Sequence, residues 1–211
     1  MSRPGNNAAL VPGHYVGGDI RVERSLEQLH LVVGFEALGY RDPDYYALGV
    51  LSTLYGGGMS SRLFQEIREI RGLAYSVYSF ISAYADGGLF GVYAGTSAEE
   101  VGQVVDIVAN ELRQLPDRVS EAEIARARAQ MRADLLMGRE STSSRAEQVS
   151  GQIFAYGAPI ATEIMLEKIE AVDRDAIARV ARGLVTGRPT VASIGPTGSV
   201  PAADAIAAKL Q

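Results

Sequence analysis

Arg68 and Tyr75 flank the joint Ile67-Arg68-Glu69-Ile70-Arg71-Gly72-Leu73-Ala74-Tyr75. Arg68 falls in the last turns of a predicted amphipathic helix, and Tyr75 comes early on the strand predicted after Gly72 reverses the chain. Side chains so placed can converge. A guanidinium offers planar charged donors and a phenol one hydroxyl, a pair suited to holding a peptide carbonyl or a developing oxyanion. The same residues also fit a plainer role, in which Arg68 and Arg71 satisfy carbonyls at the helix end and Tyr75 packs on the sheet. Residue chemistry alone leaves both readings open.

Other chemistries find less material. The chain has two histidines, His14 and His30, on separate predicted strands and without His-x-x-x-His spacing, and it has no cysteine. A metal site made within this chain is therefore not expected, and His30 reads as a partly exposed residue on the polar side of its strand beside Gln28. The strained Gly-x-Ser-x-Gly turn of a serine hydrolase is absent, and Ser60 and Ser61 read as N-cap residues of a helix. Gly56-Gly57-Gly58 lacks the Gly-Lys-Ser/Thr ending and the preceding strand of a phosphate-binding loop, so it reads as a tight connection between helices.

The elements that must carry these residues follow from periodicity. Residues 1–13, with Pro4, Gly5, Pro12 and Gly13, read as a flexible arm or linker, and residues 14–211 as a single domain. An extended strand is predicted over His14 to Glu23. A second alternates cleanly, with Leu29, Leu31, Val33 and Phe35 on one face. Asp42-Pro43 opens a helix that runs to Tyr55 and stops at the glycines. A second helix from about Ser60 to Arg71 puts Leu63, Phe64, Ile67 and Ile70 on one side, and Gly72 supplies its left-handed exit. Leu73 to Ala85 and Leu89 to Ala94 form a hairpin about Asp86-Gly87-Gly88.

Ser97 with Glu100, and Ser120 with Glu123, make capping boxes before two helices, the first ended by Pro116. Further helices reach about Leu184, Val191 to Ile194 makes a late strand, and a short surface helix follows Pro201. Strands and helices do not alternate strictly, so the expected fold is α+β, an antiparallel sheet covered by helices on one face.

Composition sets the outer bounds. The chain has 211 residues, 47% of them hydrophobic and 21% charged, enough for a core and inconsistent with whole-chain disorder. Its net charge of -5, with no run of five like charges, excludes a nucleic-acid binder that works through a basic patch. No apolar run approaches the ~18–20 residues that span a bilayer, so no membrane partner is expected. The first residues lack the pattern of a signal peptide, which leaves the cytoplasm as the expected compartment.

The run from Gly56 through Ser60-Ser61-Arg62-Leu63-Phe64-Gln65-Glu66-Ile67-Arg68-Glu69, continuing through Gly72-Leu73-Ala74-Tyr75-Ser76-Val77, resembles the C-terminal half of pitrilysin/insulinase-family zinc metallopeptidases, in the processing-peptidase-like branch. Tyr15-Val16-Gly17-Gly18, Gln28-Leu29-His30-Leu31, Asp86-Gly87-Gly88-Leu89-Phe90 and Tyr93-Ala94-Gly95-Thr96 extend the resemblance over nearly the whole chain from about His14.

The resemblance implies a clamshell of two homologous halves in which the other half carries His-x-x-Glu-His and the Zn2+. It implies an α+β fold with an enclosed chamber on the open side of the sheet. It also implies that Arg68 and Tyr75, which match a family pair in type and seven-residue spacing, contact substrate near the zinc. No catalytic residue and no cofactor is then expected in this chain. Its partners would be a zinc-bearing catalytic half, in the same polypeptide or a separate subunit, and a peptide substrate, with self-association when isolated. The alternative is a catalytically silent structural subunit similar to respiratory-complex core proteins. The long glycine-rich insertion of the mitochondrial substrate-recognising subunit is absent, since Gly58 runs directly into Met59-Ser60.

Overall fold

The structure, a computed structural model, describes residue 11 and residues 13–211. Apart from Val11 and Gly13, the expected arm lies outside the described residues. Five strands form one sheet: β1 (Gly18–Glu23), β2 (Leu29–Ala37), β3 (Ala74–Ala83), β4 (Gly88–Thr96) and β5 (Thr190–Gly195), in the order β1-β5-β2-β4-β3. The sheet is mostly antiparallel, and only the β1–β5 pair runs parallel. β1 and β2 are close in sequence but not neighbours, because β5 returns from the far end of the chain and inserts between them.

The alternation of β2 is realised as burial. Leu29, Leu31, Val33 and Phe35 are each at most 1% exposed. They join a core built with α1 (Tyr45–Gly56), α2 (Val101–Arg118) and α6 (Arg174–Leu184), which contact β3, β4 and β2 respectively. α3 (Glu121–Gly138) lies against α1, α5 (Thr162–Glu170) against α3, and α7 (Ala203–Leu210) against α2. This is the expected α+β architecture, with helices packed on one face of the sheet. α7 lies at the surface, with Ala203, Ile206 and Leu210 buried. α4 (Thr142–Tyr156) is the exception among the helices, since none of its residues is buried.

Local chemistry fixes the boundaries. The Ser120 side chain accepts from the Glu123 amide while the Glu123 carboxylate accepts from the Ser120 amide, the reciprocal cap expected before α3. Ser97 and Glu100 bond each other in the same spirit, and α2 itself begins at Val101. Pro43 lies just ahead of α1, not in its first turn. Pro116 does not end α2, which continues to Arg118. Its ring is buried against the core, and the Val119 amide still closes the last turn on the Leu115 carbonyl at 3.0 Å.

The largest departure is the second helix. Phe64–Ile70 is wound as a π-helix. With i→i+5 bonding each turn takes up about one more residue than an α-turn, so a position three residues past buried Ile67 rotates away from the core. Ile70, expected on the apolar side, is accordingly 66% exposed.

Candidate functional site

The π-helix is pinned at its start. Arg62 donates to both carboxylate oxygens of Glu123 at 2.6 and 3.1 Å, to Glu111 at 3.3 Å and to the Arg118 carbonyl at 3.0 Å. One guanidinium thus ties the helix to α2 and α3. Partial burial pushes the Glu123 carboxyl up, but hydrogen bonds from Arg62 and Ser120 and the guanidinium charge outweigh it and bring the group down to about 2. Leu63 and Ile67 then bury fully, which turns the next residues, Phe64 and Arg68, toward the edge of the core.

Arg68 and Tyr75 come together. The Arg68 guanidinium carbon lies over the Phe64 ring, 4.9 Å from its centroid, and over the Tyr75 ring at 5.1 Å. Two backbone features bring Tyr75 there. Gly72 takes φ +66°, which only glycine adopts without cost, and the Leu73 amide reaches back to the Ile67 carbonyl at 2.8 Å. The β3–β4 register then slips, with Ala74 opposite Thr96 but Ser76 opposite Gly95, so Tyr75 is the extra residue of a β-bulge. Ala74 and Val77 remain buried, and Tyr75 is 73% exposed.

These contacts differ from the plainer reading of the joint. Among the described residues neither Arg68 nor Arg71 donates to a helix-end carbonyl; Arg71 instead pairs with Glu66 at 3.3 Å. Arg68 has no hydrogen-bond or ion-pair partner among the described residues. Ser61 stands where the helix begins, its carbonyl accepting from the Gln65 amide at 3.0 Å, but among the described residues neither Ser60 nor Ser61 forms a side-chain cap bond, and the Ser61 hydroxyl is buried without a partner.

The open face of the sheet continues from the same hairpin as a shelf of rings. Tyr78 and Tyr93, paired across β3 and β4, stack with centroids 4.9 Å apart. The Tyr93 hydroxyl and His30 Nδ1 share a hydrogen bond of 2.7 Å. Partial burial, reinforced by the Tyr78 hydroxyl, raises the Tyr93 phenol above its ordinary value, so it is a neutral donor or acceptor at physiological pH. Phe80 lies directly over Gly91, where an added Cβ would come within 2.3 Å of the ring. Sequence reasoning missed Phe64, Tyr78 and Tyr93. The period-2 rows Tyr78-Phe80 and Gly91-Tyr93-Gly95 held a signal for the shelf, but only a known register places them side by side.

Among the described residues no group of three or more His, Cys, Asp or Glu side chains could hold a metal ion, and no helix is long and apolar enough to cross a membrane. Fold and site together define a class: a mostly antiparallel α+β domain that presents an aromatic-held cation and aromatic rings, and whose own side chains form no metal centre among the described residues.

A family model described as Peptidase M16 inactive domain matches residues 4–131. The chain belongs to this family and is the C-terminal, non-zinc type of domain found in pitrilysin/insulinase-family metallopeptidases. An uncharacterized zinc protease of Streptomyces coelicolor is 41% identical over 176 residues, covering 83% of this chain and 38% of that protein. Another, from Rickettsia felis, is 35% identical over 195 residues, covering 92% of this chain and 47% of that protein. The chain spans less than half the length of these curated relatives. Among solved structures, a chain of complex III2 from Candida albicans superposes with a TM-score of 0.90 at 18% identity, over 100% of this chain and 53% of that one. A conserved protein from Enterococcus faecalis gives a TM-score of 0.75 at 23% identity, over 90% of this chain and 45% of that one. Both structural likenesses bear on the fold alone.

Proposed function

We propose that this chain is the substrate-binding, zinc-free half of a zinc metalloendopeptidase and works against a separate His-x-x-Glu-His half. The observation that carries the reading is Arg68: a guanidinium in contact with the faces of two rings, Phe64 and Tyr75, with its N–H donors uncommitted among the described residues and the Tyr75 phenol exposed. Zn2+ on the other half would polarise the scissile carbonyl and activate a water. Arg68 would hold the peptide by a backbone carbonyl, and the Tyr75 hydroxyl would donate to the oxygen on which negative charge develops, a contact that strengthens toward the transition state.

A domain that works joined to another half needs a surface to meet it. α4 supports that requirement, with Val149, Ile153 and Phe154 respectively 41%, 47% and 88% exposed.

The test is Tyr75→Phe in the assembled peptidase. Loss of an oxyanion donor is expected to lower kcat by about a hundred- to a thousandfold with KM little changed. Unchanged kinetics would remove the assignment of Tyr75. Complete inactivity of a correctly assembled, zinc-loaded pair toward unstructured peptides would favour instead a catalytically silent structural subunit.

A further inference from the structure

The acidic residues nearest Arg68 on its own helix, Glu66 and Glu69, stand at spacings that do not face it, and it pairs with neither among the described residues. Glu66 is taken by Arg71. What holds Arg68 is the face of Phe64 on one contact and the face of Tyr75 on another. The difference matters chemically. A carboxylate would fix a guanidinium by consuming its N–H donors and cancelling its charge, whereas an aromatic face fixes it through the ring quadrupole and leaves the donors at its edge available. Phe64 precedes Arg68 by four residues, so the two side chains lie on one helical face, while Leu63 and Ile67 beside them anchor that turn in the core.

From this geometry we infer that Phe64 is a positioning residue: its ring holds the Arg68 guanidinium toward Tyr75 without neutralising it, so that the full charge and donor set meet the substrate. Phe64 acts through Arg68 and need not touch the peptide. The inference rests on the substrate-binding role proposed for Arg68, and it separates two properties that helix packing alone would not separate. Leucine at this position would keep apolar bulk and lose the π face, while tyrosine would keep the face.

The experiment has two arms. In this chain, proton NMR of the Arg68 side chain should show Hδ resonances upfield of those of the other arginines, from the flanking rings. The shift should persist in Phe64→Tyr and fall in Phe64→Leu to no more than the part that the Tyr75 ring alone produces. Ordinary Arg68 shifts in the unmodified chain, or shifts unaffected by Phe64→Leu, would overturn the inference whatever the enzymology.

In the assembled peptidase acting on an unstructured peptide, Phe64→Leu should lower kcat/KM about two- to fivefold. Phe64→Tyr should restore most of it, and Phe64→Leu should add nothing in an Arg68→Ala background. A loss of equal size in the Arg68→Ala background, or no rescue by tyrosine, would show that Phe64 serves packing alone and sink the inference. If Arg68→Ala itself leaves kcat/KM unchanged, the substrate-binding reading fails, and the role of Phe64 in catalysis fails with it. A normal effect of Arg68→Ala with no effect of Phe64→Leu fails only the inference.

Discussion

The Arg62–Glu123 pair sets a measurable load on the helix that presents Arg68. Both side chains are largely shielded, at 13% and 19% exposure, and the carboxylate accepts from Arg62 twice and from the Ser120 amide and hydroxyl. Its carboxyl stands at about 2 against an ordinary 4.5. A depression of that size corresponds to about 3 kcal/mol of folded-state stabilisation at neutral pH.

The sign follows from the direction of the shift. A carboxyl depressed in the folded state contributes fully above the unfolded value and loses its contribution as pH falls from about 4.5 toward 2, with roughly half left at pH 3. Glu123→Gln preserves an acceptor for the Ser120 amide and removes the charge, leaving Arg62 with Glu111 at 3.3 Å as its remaining carboxylate. The substitution should therefore cost about 2–3 kcal/mol at pH 7, and the gap from the unmodified protein should narrow to about half at pH 3. Urea denaturation followed by circular dichroism at pH 7, 4.5 and 3 measures this, provided the slope on denaturant stays constant between the two proteins. A gap equally large at pH 3 and pH 7, or one below about 0.5 kcal/mol at pH 7, would refute the electrostatic account.

Two further outcomes follow from the same structure. Gly72→Ala would meet no neighbouring atom but would place a Cβ at φ +66°, so it should cost about 1 kcal/mol and lower Tm by about 2–4 °C; an unchanged or raised Tm would contradict the left-handed turn. The isolated chain should self-associate with rising concentration in light scattering, and Phe154→Asp should weaken this with little change in Tm. A concentration-independent monomer would show that the apolar residues of α4 do not drive contact.

Much of the fold was legible because it is written locally. The alternation Leu29-Leu31-Val33-Phe35 needed no partner to reveal a buried face, and Ser120-x-x-Glu123 carries its own hydrogen bonds. Features that depend on distant partners were not legible. Gly18 pairs with Thr190, and nothing near either residue announces that β5 enters between β1 and β2 in parallel with the first. Pro116 lies buried inside a helix that runs on to Arg118, a burial that the local rule for proline does not register. At the site, the helix–glycine–strand order suggested that Arg68 and Tyr75 could converge, while their shared role came only from the family resemblance. Phe64 read as one more core residue on an apolar stripe, and His30, Tyr78 and Tyr93 needed a register to meet.

Three backbone irregularities fall close together, and their location is informative. Between Phe64 and Ser76 the chain carries a π-helix, a left-handed glycine and a β-bulge in succession. Each departs from regular structure and each moves a side chain that the departure exposes or reorients. The π winding turns Ile70 outward, Gly72 reverses the chain so that strand follows helix at once, and the bulge leaves Tyr75 standing between buried Ala74 and Val77. Irregular backbone of this kind is over-represented at functional sites, and here all three irregularities lie beside the residues that flank one guanidinium. That concentration is a physical reason, independent of family membership, to test the proposed substrate contact at Arg68 and Tyr75 first.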